Sequence, residues 1–286
     1  MPRFTLIGSL AVVGAVALLP ARAAAGPISF STGNPDGKMA TLSRPAGPGL
    51  LETETADDFV LGQDALISGA TFVGLLPSGA LLSSITNVEI ELYHVFPADS
   101  APFDGRVMTR ANSPSDVQFA AFDSALGQIG FSPLILSASF TALNSVVNGI
   151  NAGPNQFTGG EGPVTGEEVQ FTITFTAPFF VGATDHDFFR PEVALSSGNF
   201  LWLSAPKPIA PPGTPFNPDL QSWIRNSNLA PDWSRIGSDI THQGPFNATF
   251  SLSGESVAAV PEPASLLLLA SGLCGAAWSR RRSLKR

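Results

Sequence analysis

The sequence predicts an all-β body, an antiparallel β-sandwich or jelly-roll-like fold, set between an N-terminal signal peptide and a C-terminal hydrophobic helix. Three observations carry this. Apolar and polar residues alternate at period 2 in several runs, the mark of strands with one buried face. The 28 glycines and 25 prolines break the chain at short intervals. No sustained 3.6-residue period occurs outside the two ends. The expected division is 1–25 signal peptide, 26–256 body and 260–286 tail.

The N-terminal segment opens with Arg3, continues as an uncharged apolar run over 4–19, and closes on Ala21-Arg22-Ala23-Ala24-Ala25. A positive n-region, an apolar stretch and small residues at the end describe a secretory signal, cut near Ala23 or Ala25. The Sec translocon and signal peptidase are the implied partners.

Within the body, Val88-Glu89-Ile90-Glu91-Leu92 turns three apolar residues one way and two glutamates to a wet face. Residues 169–176 and 248–253 alternate in the same manner. Further strands are expected at 58–61, 67–75, 116–122, 133–140 and 192–203. Asn34-Pro35-Asp36-Gly37, Pro77-Ser78-Gly79 and Phe103-Asp104-Gly105 read as turns. Residues 144–166, with six glycines and two prolines, and 205–218, with six prolines, read as loops, the second stiff and partly polyproline II.

Charge and cysteine content restrict the function classes. The two ends hold seven of the 15 basic residues and one of the 23 acidic ones. The body keeps 8 and 22, a formal charge of −14. That balance opposes nucleic acid or anionic lipid binding through a basic surface. The single cysteine, Cys274, lies in the tail, so the body has no disulfide, thiolate nucleophile or cysteine-bound metal.

Candidate sites are few. The three histidines, His94, His186 and His242, are widely spaced, and no Gly-x-Ser-x-Gly elbow is present. No catalytic residue is nominated and the body is read as non-enzymatic. Asp185-His186-Asp187 is the densest polar cluster. Its two carboxylates suit a calcium ion shared with loop carbonyls, with Arg190 as the alternative neutralising partner. Asp57-Asp58 reads as a strand entry with one carboxylate capping a turn. Trp223 and Trp233 flank Asn226 and Asn228. This aromatic and polar stretch is the best candidate for ligand recognition, with core packing of both rings as the alternative.

The C-terminus reads Val260-Pro261-Glu262-Pro263, then an apolar run over 264–278, then Arg280-Arg281-Arg282, with Lys285 and Arg286 beyond. The prolines exclude a helix through residues 261–263. As a helix, 264–278 reaches about 22 Å, against a bilayer core of ~30 Å. The basic end would stay on the cytoplasmic side. This order resembles the PEP-CTERM sorting tail of exported Gram-negative bacterial proteins. The resemblance implies that Pro261, Glu262, Pro263 and the three arginines form the sorting motif. It implies an exosortase-type membrane protease, a transient anchor in the inner membrane, and a destination at the cell surface or outside the cell.

Parts of the body, Asn34-Pro35-Asp36-Gly37-Lys38-Met39, Ser43-Arg44-Pro45, Glu54-Thr55-Ala56-Asp57-Asp58-Phe59, Tyr93-His94-Val95-Phe96-Pro97 and Thr109-Arg110-Ala111-Asn112-Ser113-Pro114-Ser115-Asp116, resemble an uncharacterised group of such proteins. That second resemblance implies no catalytic residue. Three roles stand open: a non-enzymatic module associated with exopolysaccharide, a glycan-active enzyme with an acidic pair about 5–10 Å apart, and a structural or adhesive matrix protein. Exposed tryptophans beside a groove would favour the first, an open acidic pair the second, and buried tryptophans with neither feature the third.

Overall fold

Alternation at period 2 lays the body out as two sheets packed face to face, one antiparallel and one mixed, as a computed structural model shows. It describes residues 26–96, 112–150, 158–206 and 221–257. The expected signal peptide, the sorting tail with Pro261, Glu262, Pro263, Arg280, Arg281 and Arg282, and the turn Phe103-Asp104-Gly105 lie outside those residues. Ala25–Val257 is one compact unit.

The first strands are β1 (Pro27–Ser31), β2 (Met39–Leu42), β3 (Thr53–Val60), β4 (Ala65–Pro77), β5 (Ile85–His94), β6 (Ala120–Asp123), β7 (Ile129–Ala142) and β8 (Asn144–Val146). Then come β9 (Val164–Val181), β10 (His186–Leu195), β11 (Leu201–Ala205), β12 (Trp223–Asn226), β13 (Ser234–Arg235), β14 (Asn247–Ala248) and β15 (Phe250–Ser256). The smaller sheet runs β13-β12-β3-β10-β5-β6. In the larger sheet β4 carries β9 on one edge, with β7 outside it. Its other edge is shared by β15, flanked by β1, and by β11, flanked by β2 and β8. The β2–β8 pair is parallel. Among the described residues no helix is long and apolar enough to cross a membrane.

The inward faces are phenylalanine-rich. Phe72 and Phe171 stack at 4.7 Å within the large sheet. Phe189 of the small sheet stacks on Phe250 of the large one at 5.1 Å. Offset and edge contacts of this kind add to the area that the rings bury. With no disulfide in the body, this packing carries the stability.

The shared edge of β4 needs a joint. Thr249 sits there, between β14 and β15. Its backbone N–H donates to Leu203 O at 2.8 Å, and its hydroxyl to Val73 O at 2.8 Å. Val73 N–H donates back to that hydroxyl at 3.3 Å, and the Trp202 indole donates to Thr249 O at 2.7 Å. Gly74 fits beside it because any Cβ would lie 2.2 Å from the Phe200 ring.

Several expectations need adjustment. Residues 192–203 are two strands in different sheets, parted by a turn with Gly198 at φ 83°. Only the end of 116–122 is a strand. Residue 144, taken as the start of a loop, begins β8. Asp57 and Asp58 do not enter a strand through a turn: both lie inside β3 and both are buried.

Candidate functional site

The outer face of the small sheet is where the charge gathers. Within β3, Thr55, Asp57 and Phe59 point between the sheets, so Glu54, Ala56 and Asp58 point outward by alternation. In β10 the outward set includes Phe188, Arg190 and Glu192. Register places Arg225 of β12 opposite Glu54, Arg190 opposite Glu91, and Phe188 opposite Tyr93. A second small core of Ala56, Tyr93, Phe188, Trp223 and Trp233 covers part of this face. Of the two β5 glutamates, Glu89 stays half-exposed and Glu91 is drawn off the wet face. Glu91 is only 15% exposed and is held by Arg190.

Beside this small core lies a cavity of about 500 Å³ lined by Glu52, Glu54, Glu91, Tyr93, Arg190 and Arg225, with Asp116, Gln118 and Ser227. Glu54 is its centre. It accepts from Arg190 Nε at 3.0 Å and Nη2 at 2.6 Å, from Tyr93 OH at 2.8 Å, and from Arg225 Nη2 at 3.0 Å and Nε. Burial alone would raise its pKa, but the two guanidiniums outweigh this and bring it down to about 2. Arg225 spends its remaining donors on Asp116 O, Pro231 O and Tyr93 OH. It also lies 4.2 Å over the Trp233 ring.

Arg190 faces four carboxylates: Glu54 at 2.6 Å, Glu192 at 3.0 Å, and Glu52 and Glu91 both at 3.3 Å. Burial pushes Glu192 well above the usual carboxylate range, with Arg190 opposing and Glu54 reinforcing. Burial and then Glu54 raise Glu52 as well. Glu52 and Glu91 thus form an acidic pair at a cavity, but one guanidinium sits against both. At Glu52 that guanidinium favours the anion, but burial and then Glu54 outweigh it, so its carboxyl stays raised.

The expected recognition residues fall nearby, in other roles. Trp223 and Trp233 are buried rather than exposed, and Trp233 donates to Ser115 O at 3.2 Å. Asn226 uses its side-chain oxygen to hold the backbone N–H groups of Asn228 and Leu229, at 3.1 and 3.0 Å, and Asn228 is exposed. Among the described residues, 221–235 presents no open tryptophan face for a ring to stack on.

Asp185 and Asp187 serve separate partners. Asp185 accepts from Gly182 N–H at 3.0 Å and closes a turn. Asp187 pairs with His94 Nδ1 at 2.7 Å. Burial raises Asp187 to about 6, with the His94 hydrogen bond opposing. Arg190 is not its partner, because residues three apart on a strand point to opposite faces. His186 pairs with Asp58 at 2.7 Å, both buried. Among the described residues no group of three or more His, Asp or Glu side chains is placed to hold a metal ion.

Sequence reasoning missed the Arg190–Glu54–Arg225 cluster. Its signal was present as alternation: Arg190 and Glu192 share a face, as do Glu54, Ala56 and Asp58.

These features define an all-β protein with a buried arginine–glutamate cluster rather than a particular activity. Residues 259–282 match the family model of the PEP-CTERM protein-sorting motif. The chain is an exported exosortase substrate, anchored at its C-terminus in the membrane before processing. No curated protein and no solved structure matches it.

Proposed function

We propose that the body is a non-enzymatic module of the cell surface or extracellular matrix, acting by adhesion and associating with exopolysaccharide. The observation that carries this reading is the arginine-held carboxylate cluster. Glu52 and Glu91 at the cavity share Arg190, and Glu54 beside them is held as an anion. Burial of Trp223 and Trp233 favours an adhesive or structural part over a stacking sugar pocket. Delivery through the Sec translocon and signal peptidase precedes sorting, and calcium has no assigned role.

A glycan-active enzyme is the second reading, favoured by the raised pKa of Glu52 at the same cavity. The two separate in one experiment. The purified body is incubated with the host's exopolysaccharide, and both bound protein and released reducing ends are measured. Binding without release is the expected result. Release that disappears in Glu52→Gln would overturn the adhesive reading.

A further inference from the structure

Both ends of the body leave at one end of the large sheet. Gly26 N–H donates to Ser256 Oγ at 2.8 Å, and Ser256 N–H donates back to Gly26 O at 2.8 Å. Pro27 stands opposite Glu255, which faces Leu66 of β4, and Leu66 faces Phe180 of β9. Directly paired residues of neighbouring strands share a face, and all four are exposed. Val257 extends the patch. Its N–H donates to Asp64 O at 2.8 Å, and by alternation it shares the face of Glu255. Phe180 is 53% exposed, Leu66 44% and Val257 40%. Large apolar side chains grouped in this way mark a contact surface, whereas scattered ones do not. Two carboxylates border them. Asp64 accepts from Ala183 N–H at 2.8 Å, and Glu255 lies in the row itself.

The occupant follows from the chain that continues past the patch. Between Val257 and the apolar run that begins at Ala264 there are only residues 258–263. Such a spacer reaches about 20–25 Å when fully extended. An anchor at the C-terminus therefore keeps this end of the sheet beside the bilayer, at an effective concentration on the order of millimolar. Weak apolar contacts then suffice to hold it there. Charge selects the lipid. An anionic membrane surface attracts basic segments and repels a body of formal charge −14. Zwitterionic headgroups have no net charge, and their ammonium groups suit Glu255.

We propose that Leu66, Phe180 and Val257 dock the anchored body on a zwitterionic phospholipid surface before processing. The proposal rests on the C-terminal anchor and is independent of the adhesive reading. The three side chains enter the headgroup region while Glu255 stays level with the ammonium groups. The cut that removes the tail also removes the effective concentration that maintains the contact, so a processed body leaves the lipid.

The test uses the full chain carrying Cys274→Ser, reconstituted into vesicles of phosphatidylcholine and phosphatidylethanolamine. A fluorophore is attached through Ser68→Cys, a site beside Pro27 and Glu255, or through Ser132→Cys, an exposed site on β7 away from the chain ends. Lipids with a nitroxide near the headgroup report proximity by quenching. The Ser68 label should be quenched about threefold or more over the Ser132 label, since interfacial apolar residues enter the membrane by about 5–10 Å. Leu66→Ser with Phe180→Ser should bring it down to the level at Ser132, with a thermal melt that matches wild-type. Equal quenching at the two sites would overturn the proposal. Quenching unchanged in the double variant would overturn the assigned residues. Stronger quenching in phosphatidylglycerol vesicles would overturn the assigned lipid. A Ser68 label shielded from a water-soluble quencher but untouched by the lipid quencher would make the patch a contact with the tail or a second copy, and would overturn docking on lipid.

Discussion

Glu54 is the residue on which the outer face of the small sheet depends. Its pKa of about 2 lies below the ordinary 4.5. A depressed folded pKa means that the contribution is complete above 4.5 and is lost as pH falls toward 2. Glu54→Gln should remove that acid sensitivity, and should destabilise by about 3–5 kcal/mol by leaving Arg190 and Arg225 buried without their shared anion. Urea denaturation at pH 7 and at pH 3 measures both effects. Asp187 has the opposite sign. Its folded pKa is raised from 3.8 to about 6, so its contribution is complete below 3.8 and declines as pH rises through 6. Stability profiles of wild-type and Asp187→Asn should diverge across that window. Identical profiles would show that Asp187 is not the titrating group. The sequence displayed these residues but not their partners. Asp185-His186-Asp187 looks like one cluster in the text, yet the pleat sends Asp187 to His94 and its neighbour His186 to Asp58.

At the scale of elements, the long strands were legible and the short ones were not. β5 and β9 alternate cleanly because one face is packed and the other polar, which is what period-2 reasoning detects. β2 and β3 are buried on both faces, so alternation fades there: every residue of Met39–Leu42 and Thr53–Val60 is buried. β12 and β13 were read as a recognition loop because a two- or four-residue strand is too short to show a period. Edge strand β7 exposes Leu134, Ile135 and Leu136. Pro133 and two shifts of register interrupt its free edge, which limits pairing with other chains. The joint at Thr249 is a further element invisible to pattern, since it exists only where β11 and β15 meet on β4. Thr249→Val keeps the shape and removes the hydroxyl bonds to Val73. A loss of about 1–3 kcal/mol is expected from the unpaired backbone groups. A denaturation midpoint unchanged from wild-type would show that the joint does not depend on the hydroxyl.

For the whole molecule, sorting and folding are written in separate parts of the chain. The motif at 259–282 is local in sequence, so it could be read without any structure. The Arg190–Glu54–Arg225 cluster could not, because it joins β10, β3 and β12, which are distant in sequence. Replacing Pro261, Glu262 and Pro263 together by alanine should leave the tail attached. A C-terminal epitope should then stay in the membrane fraction, whereas wild-type loses it on processing. Loss of the epitope at the wild-type rate would show that these three residues do not direct cleavage.

The position of β15 has a mechanical consequence. The last strand of the body is not at an edge: β1 bonds one side of it and β4 the other. A protein tethered through its C-terminal end and pulled by flowing water loads β15 along its own axis. Both flanking ladders then resist sliding together, so rupture requires many bonds to fail at once instead of unzipping one after another. The same arrangement sets the first strand of the body against the last. Tension at the tether is therefore shared by the two ends of the fold before it reaches the aromatic core.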